Sequence, residues 1–271
     1  QGACGSCWAF ATIGGVEAAI KIAEKDPNFD VDLSEQYLVS DCCDAGDCDG
    51  GLNRPALEFI RDHGVPDECC YPYRCQNSPC SDRCSDYDKR LWKIDNFGTI
   101  TNEDDLKKYL VSFGPIVSGI YWNLDHGWWD QNGVFRCDQF GDTHTTNHAI
   151  LIVGYNDTGR YWIVKNSWTV NWGENGYFRV GYGECNIGDF IQGENSFYIY
   201  MLQKFPKKTT ADSFTVQVGS SSGSLSDTYT KDGNYLTLEE QCGLIGCDGL
   251  DAQFNFTLPR NYEFMYLDVV T

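Results

Sequence analysis

At 271 residues the chain is long enough for one large domain or two smaller ones, and its 42% hydrophobic content supports a filled core. A formal net charge of −19 argues against nucleic acid, whose binding rests on Lys and Arg neutralising phosphates, and reads as a solubilising acidic surface. The longest apolar stretches, such as HAILIVGY, fall far short of the roughly 20 residues of a membrane helix, so no membrane span is expected.

From Cys7 to about Lys25, apolar residues recur at helical spacing on more than one face, which predicts a buried helix ending before Pro27. Ser34 is placed to cap a short helix in SEQYLVS, and GGLNRPALEFIRDHG reads as another that stops at Gly64. Residues 65–90 read as a loop laced with disulfides. FGTI is a short strand, and Asn102 caps an amphipathic helix, EDDLKKYLVSF. The apolar runs IVSGIYW, GVFRC, HAILIVGY, RYWIVKN, GYFRVGY and SFYIYML then predict a mainly antiparallel β half, with a hairpin turn at Asn156-Asp157-Thr158-Gly159. FPKKTT has the composition of a linker. Beyond it, alternating segments such as SFTVQV, NYLTLEE and AQFNFTL predict a separate small β unit over 206–271, expected to be incomplete because the chain stops on an apolar run.

Fourteen cysteines, crowded in CCDAGDC and CCYPYRCQNSPCSDRC, point to disulfides and an oxidising compartment. Zinc is the competing reading, but the clusters lack histidines at ligand spacing, so no metal or other cofactor is expected. Cys242 and Cys247 suit a local loop disulfide. The pairing of Cys42, Cys43, Cys69, Cys70, Cys75, Cys80 and Cys84 stays open. If one cysteine is catalytic, an odd number remains and at least one more is free or bonded outside the chain.

The opening QGACGSCWAF carries two cysteines with different prospects. Cys7 starts the long helix, where the dipole and free N–H groups lower a thiol pKa and favour the nucleophilic thiolate; Cys4 lies in the preceding loop, which suits a disulfide. A thiolate needs a histidine partner. His63, His126 and His144 fall at a helix end or in polar loops and read as surface residues. His148 opens the strand HAILIVGY, and Asn166 in NSW ends the next strand, where its amide oxygen can orient an imidazole.

Together QGACGSCWAF, CDGG, NHAILIVGY, KNSW and NWGENGYF resemble the papain family of cysteine peptidases over residues 1 to about 202, with His148 and Asn166 lying 141 and 159 residues beyond Cys7. The resemblance implies an α+β, papain-like two-lobed fold: a helical lobe over about 1–95 and an antiparallel, barrel-like β lobe over about 96–202. It implies Cys7 as nucleophile paired with His148, Asn166 as orienter, Trp168 as the indole screening the His–Asn bond, and Gln1 as side-chain donor to the oxyanion. It further implies a Cys4–Cys48 bond beside the Gly50-Gly51 step that binds extended peptide, and a Cys137–Cys185 bond in the β lobe. By the same resemblance, the pocket that dominates specificity is lined by Leu52, Asn53 and Ala149, with Gly119 and a residue near Asn195.

Three departures stand out. Asn147 precedes His148 where many relatives have aspartate, which is expected to alter the pH profile and not the reaction. The residues and propeptide that family members carry before the glutamine are absent, so a fragment is expected. The vicinal Cys42-Cys43 pair is similar to that of cathepsin B, but no histidine lies between residues 64 and 125, which disfavours the exopeptidase activity of that enzyme.

The expected function is therefore a secreted or cell-surface endopeptidase, made as a zymogen, acting on peptide or protein substrates, with its own propeptide as a partner. The C-terminal unit is expected to attach to a cell surface, polysaccharide or protein, or to act as a spacer. The alternatives are another thiol acyl-transfer enzyme (a transglutaminase or cell-wall amidase) and a non-enzymatic surface adhesion protein. Neither acyl-transfer class carries NSW with CWAF, and inactive relatives usually lack the nucleophile.

Overall fold

A computed structural model describes residues 1–125, 127–137, 146–188 and 196–201, together with the backbone of four short strands between 217 and 255. The chain divides into two units, Gln1–Gln203 and Lys204–Thr271.

Helix α1 (Cys7–Ala23) is the centre of the first unit, with Trp8, Ile13, Val16 and Ile20 buried. One flank packs on α2 (Glu35–Val39) and α3 (Asn53–Asp62), burying Leu33, Leu38, Leu57, Ile60 and Tyr71. The other flank packs on strands, and Val117, Leu151, Phe197 and Ile199 join the same core. Gly15 permits that approach: a Cβ there would run into the side chains of Val117 and Ile199. Ser34 caps α2, its Oγ accepting from Tyr37 N at 3.0 Å. Two short strands, β1 (Gly46–Asp47) and β2 (Gly50–Gly51), form an antiparallel ribbon that the sequence reading did not anticipate.

The remaining strands of this unit are β3 (Asn96–Thr99), β4 (Ile116–Ile120), β5 (Gly127–Trp129), β6 (Phe135–Cys137), β7 (His148–Asn156), β8 (Tyr161–Lys165), β9 (Tyr177–Gly181) and β10 (Ser196–Tyr200). They form one sheet in the order β3-β10-β4-β7-β8-β9-β6-β5. It is antiparallel except for the β6–β9 pair, which is parallel through Phe135 and Val180. The turn between β7 and β8 is the expected hairpin, closed by Asn156 opposite Tyr161, with Arg160 in the left-handed region at φ 51°. Helix α4 (Glu103–Phe113) starts at Asn102, whose Oδ1 accepts from Asp105 N at 2.8 Å, and covers a second core built on Ile116, Phe135, Ile152, Trp162 and Phe178.

In the second unit β11 (Gln217–Val218) pairs with β14 (Phe254–Asn255), and β12 (Thr228–Asp232) with β13 (Tyr235–Glu239), both antiparallel. Cys242, Cys247, Asn195, His126 and His144 lie outside the described residues.

Among the described residues four disulfides join Cys4–Cys48, Cys42–Cys80, Cys70–Cys84 and Cys137–Cys185, and four cysteines are unbonded. Cys7, Cys43, Cys69 and Cys75 are free thiols. That is more free thiol than parity alone requires. In each vicinal pair one cysteine is bonded while its neighbour points elsewhere: Cys43 into the core, where burial pushes its thiol up to about 11, and Cys69 to the surface. Among the described residues no group of His, Cys, Asp and Glu is arranged to hold a metal, and no helix is long and apolar enough to cross a membrane.

Candidate active site

The first two residues of α1 have no preceding helical carbonyl to pair their N–H groups, and Cys7 stands there, half-buried. Its Sγ accepts the N–H of Ala149 at 3.4 Å, so the thiol lies against the start of β7, one residue from His148. The second residue of α1, the buried Trp8, supports the opposite wall. A Cβ on Gly51 would overlap the Trp8 indole, so only glycine lets β2 lie on that ring. Gly50, at φ 137°, has open space where a Cβ would be, and Leu52 beside it is exposed. Asn53 donates Nδ2 to Trp8 O at 2.9 Å and to Thr12 Oγ1 at 3.0 Å. The Nδ2 donors of Asn53 are thus spent on α1 and tie the start of α3 to it.

His148 and Asn166 are both buried. His148 Nε2 is 2.8 Å from Asn166 Oδ1, and Ser167 N–H donates to the same atom at 2.8 Å. Because Ser167 N–H is a donor, the shared atom must be the amide oxygen, so His148 carries its proton on Nε2. Nδ1 is then the nitrogen with a lone pair. The Asn166 Nδ2 is buried without a hydrogen-bond partner among the described residues. The indole of Trp168 stacks on the imidazole at 4.8 Å, and Trp122 and Trp172 meet Trp168 edge-on at 5.2 and 5.1 Å. The buried His148–Asn166 bond thus lies beside aromatic rings, and a hydrogen bond in such low-dielectric surroundings is stronger than one in water.

At the start of the helix the backbone N–H groups pull the Cys7 pKa down, as expected, but burial acts in the opposite sense and is the larger effect. It pushes the thiol above its ordinary value against the pull of the Ala149, Trp8 and Cys7 N–H groups. Burial likewise pushes the His148 pKa down, partly offset by the bond to Asn166. Each group by itself favours its neutral form.

Gln1 lies over the same site. Its Oε1 accepts from Ser167 Oγ, and its Nε2 donates to Cys4 O at 3.1 Å, leaving one amide hydrogen uncommitted among the described residues. Its backbone nitrogen donates to Ser167 O at 2.7 Å. The Cys4–Cys48 disulfide and the 2.7 Å bond from Gly5 N to Cys48 O tie this segment to the β1–β2 ribbon. Asn147 binds Trp122 at both ends of its amide: Trp122 N donates to its Oδ1 at 2.7 Å, and its Nδ2 donates to Trp122 O at 3.0 Å. Gly119 and Thr146 face each other across the β4–β7 edge, the Thr146 side chain lying where a Cβ on Gly119 would be. The sequence reading missed Thr146, since a threonine in a polar loop carries no periodic signal. Cys137 and Cys185 join β6 to the segment after β9, away from Cys7.

Comparison with known proteins places this arrangement. A family model described as papain family cysteine protease matches residues 1–194. A viral cathepsin of Antheraea pernyi nuclear polyhedrosis virus is 39% identical over 204 residues, covering 73% of this chain and 60% of the relative. The oryzain gamma chain of Oryza sativa subsp. japonica is 38% identical over 196 residues, covering 69% of this chain and 52% of the relative. The chain thus spans little more than half the length of these relatives. Among solved structures, a Carica candamarcensis cysteine protease in complex with E-64 aligns with a TM-score of 0.60 at 28% identity, over 74% of this chain and 91% of that one. Procathepsin L2 from Tenebrio molitor aligns with the same score and identity, over 74% and 63%. A protonated histidine nitrogen held by an asparagine oxygen, beside a thiol at a helix start, stands in an α+β frame that aligns with both solved structures, and the family model covers most of it: the chain belongs to the papain family of cysteine proteases.

Proposed function

We propose that the protein is a cysteine endopeptidase working through Cys7, His148 and Asn166. The observation that carries this reading is the buried 2.8 Å bond from His148 Nε2 to Asn166 Oδ1, with the Cys7 thiol on the adjoining Ala149 N–H. Moving the thiol proton to His148 Nδ1 creates a thiolate and an imidazolium together. The opposite charges then offset the burial that disfavours either one alone.

The thiolate attacks the scissile carbonyl carbon, and the π electrons move to the oxygen. The free hydrogen on Gln1 Nε2 and the N–H of Cys7 donate to that oxyanion, stabilising charge that exists only in the tetrahedral state. Collapse breaks the C–N bond, and the imidazolium gives its proton to the departing amine. Water, deprotonated by the neutral imidazole, then attacks the thioester, releases the acid and returns the thiol. The exposed Gly50 edge supplies backbone groups to an extended peptide, and Leu52, Ala149, Gly119 and Thr146 favour an apolar side chain of moderate size next to the scissile bond.

Four disulfides fit an extracellular or lysosome-like compartment, and we favour an extracellular one. Two solved relatives of this family are described as proforms, which supports a propeptide as a further partner. The residues beyond 205 are assigned to attachment at a surface or polysaccharide.

E-64 binds one relative's structure, and an epoxide of that class should alkylate Cys7 here while peptide-ester turnover stops in proportion. Cys7→Ala should abolish both and keep the fold, since the thiol's role is chemical. Retention of most hydrolysis in Cys7→Ala would overturn the assignment.

A further inference from the structure

Ser6 is the residue before Cys7 and stands at the N-cap of α1, yet its side chain makes no capping bond to the helix. A buried serine at that position ordinarily spends its hydroxyl on the free N–H groups of the first turn. Here the Ser6 hydroxyl lies 2.6 Å from the hydroxyl of Tyr73, which donates to the carbonyl of Gln1 at 2.8 Å. A phenol that donates to a carbonyl keeps its lone pairs for a second donor, so the Ser6 hydroxyl gives its proton to Tyr73. Burial pushes the Tyr73 pKa up, which keeps the phenol a donor. One side chain thus joins the residue before the nucleophile to the backbone of the residue that carries the oxyanion amide.

The loop bearing Tyr73 is held as a rigid platform. Buried Gln36 on α2 accepts from Arg74 N at 2.8 Å and donates to Gln76 O at 2.9 Å. Glu68 accepts Tyr73 N at 2.6 Å, and the Tyr73 ring meets Phe10 of α1 edge-on at 4.9 Å. The Cys42–Cys80 and Cys70–Cys84 bonds brace the same loop. Cys75 adds a second, weaker tie: its Sγ lies 3.3 Å from Gln1 O and accepts Ala3 N at 3.1 Å.

We propose that Tyr73 is a positioning residue for the oxyanion donor: its hydroxyl, fixed by Ser6, sets the place of Gln1 relative to Cys7. The inference rests on the peptidase reading above. Tyr73 touches neither substrate nor reacting atoms, so its removal should weaken stabilisation of the tetrahedral state and leave the nucleophile intact.

The test compares Tyr73→Phe, Ser6→Ala, Gln1→Ala and the Tyr73→Phe/Gln1→Ala double variant in the whole protein. Tyr73→Phe keeps the ring packing on Phe10 and should lower kcat by about tenfold with KM within about twofold. A peptide aldehyde, which forms a tetrahedral adduct with a thiol, should bind more weakly by the same factor. Alkylation of Cys7 by iodoacetamide, which needs no oxyanion donor, should keep its rate and pH profile. In the Gln1→Ala background, Tyr73→Phe should cost less than about twofold more, because the two act on one interaction. Ser6→Ala should give the same pattern in weaker form.

Wild-type kcat in both Tyr73→Phe and Ser6→Ala would overturn the proposal. So would a parallel fall in alkylation, which marks general disruption, or a full additional tenfold loss in the double variant. If the wild-type protein neither turns over peptide nor reacts at Cys7, it is the peptidase reading itself that fails.

Discussion

Asn147 spends both ends of its amide on the backbone of Trp122. Trp122 in turn stacks on Phe135 and meets Trp168, so the residue before His148 holds the aromatic cover that lies on His148. An aspartate in that place keeps the bond from Trp122 N but loses the one to Trp122 O and sets a carboxylate beside a carbonyl. It also brings a negative charge within one residue of His148, which favours the imidazolium and raises a pKa that burial now holds down. Asn147→Asp should therefore move the alkaline limb of kcat/KM to higher pH, while the lost hydrogen bond costs about 0.5–1.5 kcal/mol of stability. A pH–rate profile on a short peptide, with a urea midpoint beside it, checks both. An unmoved limb would show that residue 147 acts on His148 through packing alone.

At the scale of elements, α2 carries the least comfortable charge in the helical half. Glu35 opens it and faces a cavity shared with Glu17 and Lys165. Burial, then the nearby carboxylates of Glu17, Glu68 and Asp32, push Glu35 from its ordinary 4.5 up to about 8, against the pull of its own N–H. Such a group is protonated in the native state and ionised in the unfolded chain over that window. Its contribution is thus complete below about 4.5 and is lost as pH rises toward 8, at up to about 1.4 kcal/mol per pH unit. Unfolding free energies at pH 5 and pH 8 should show the wild type losing stability with pH, and Glu35→Gln should flatten that slope and gain most at pH 8. An unchanged slope would assign the dependence to Glu17 or Glu68, which burial also pushes up.

Much of this element plan was legible in the sequence, because α1, α3 and α4 repeat at helical spacing and Ser34 and Asn102 do cap. Strand β5 was not, since a short GWW with both tryptophans nearly half exposed follows no alternation. The two-residue β1 and β2 are too short to have a period. The motif order named Cys7, His148 and Asn166, yet Tyr73 escaped notice: its role arises only when Gln36 and two disulfides bring its loop to Ser6 and Gln1.

At the scale of the molecule, both cores of the first unit close within Gln1–Gln203, the last described residue packed against them being Met201. The hydrogen bonds of Cys7, His148, Asn166 and Gln1 also run to residues of that unit. The second unit contributes strands that pair among themselves, β11 with β14 and β12 with β13. A unit whose strands pair internally is expected to act as a separate module joined through the FPKKTT segment. Removing residues 204–271 should then leave kcat/KM on short peptides within about threefold and the urea midpoint of the first unit unchanged, whereas retention on an insoluble protein or polysaccharide should fall. Circular dichroism of the shortened protein separates failure to fold from failure to catalyse. A folded but inactive product would mean that the second unit shapes the cleft around Gly50 and Leu52, and that the peptidase does not end near residue 203.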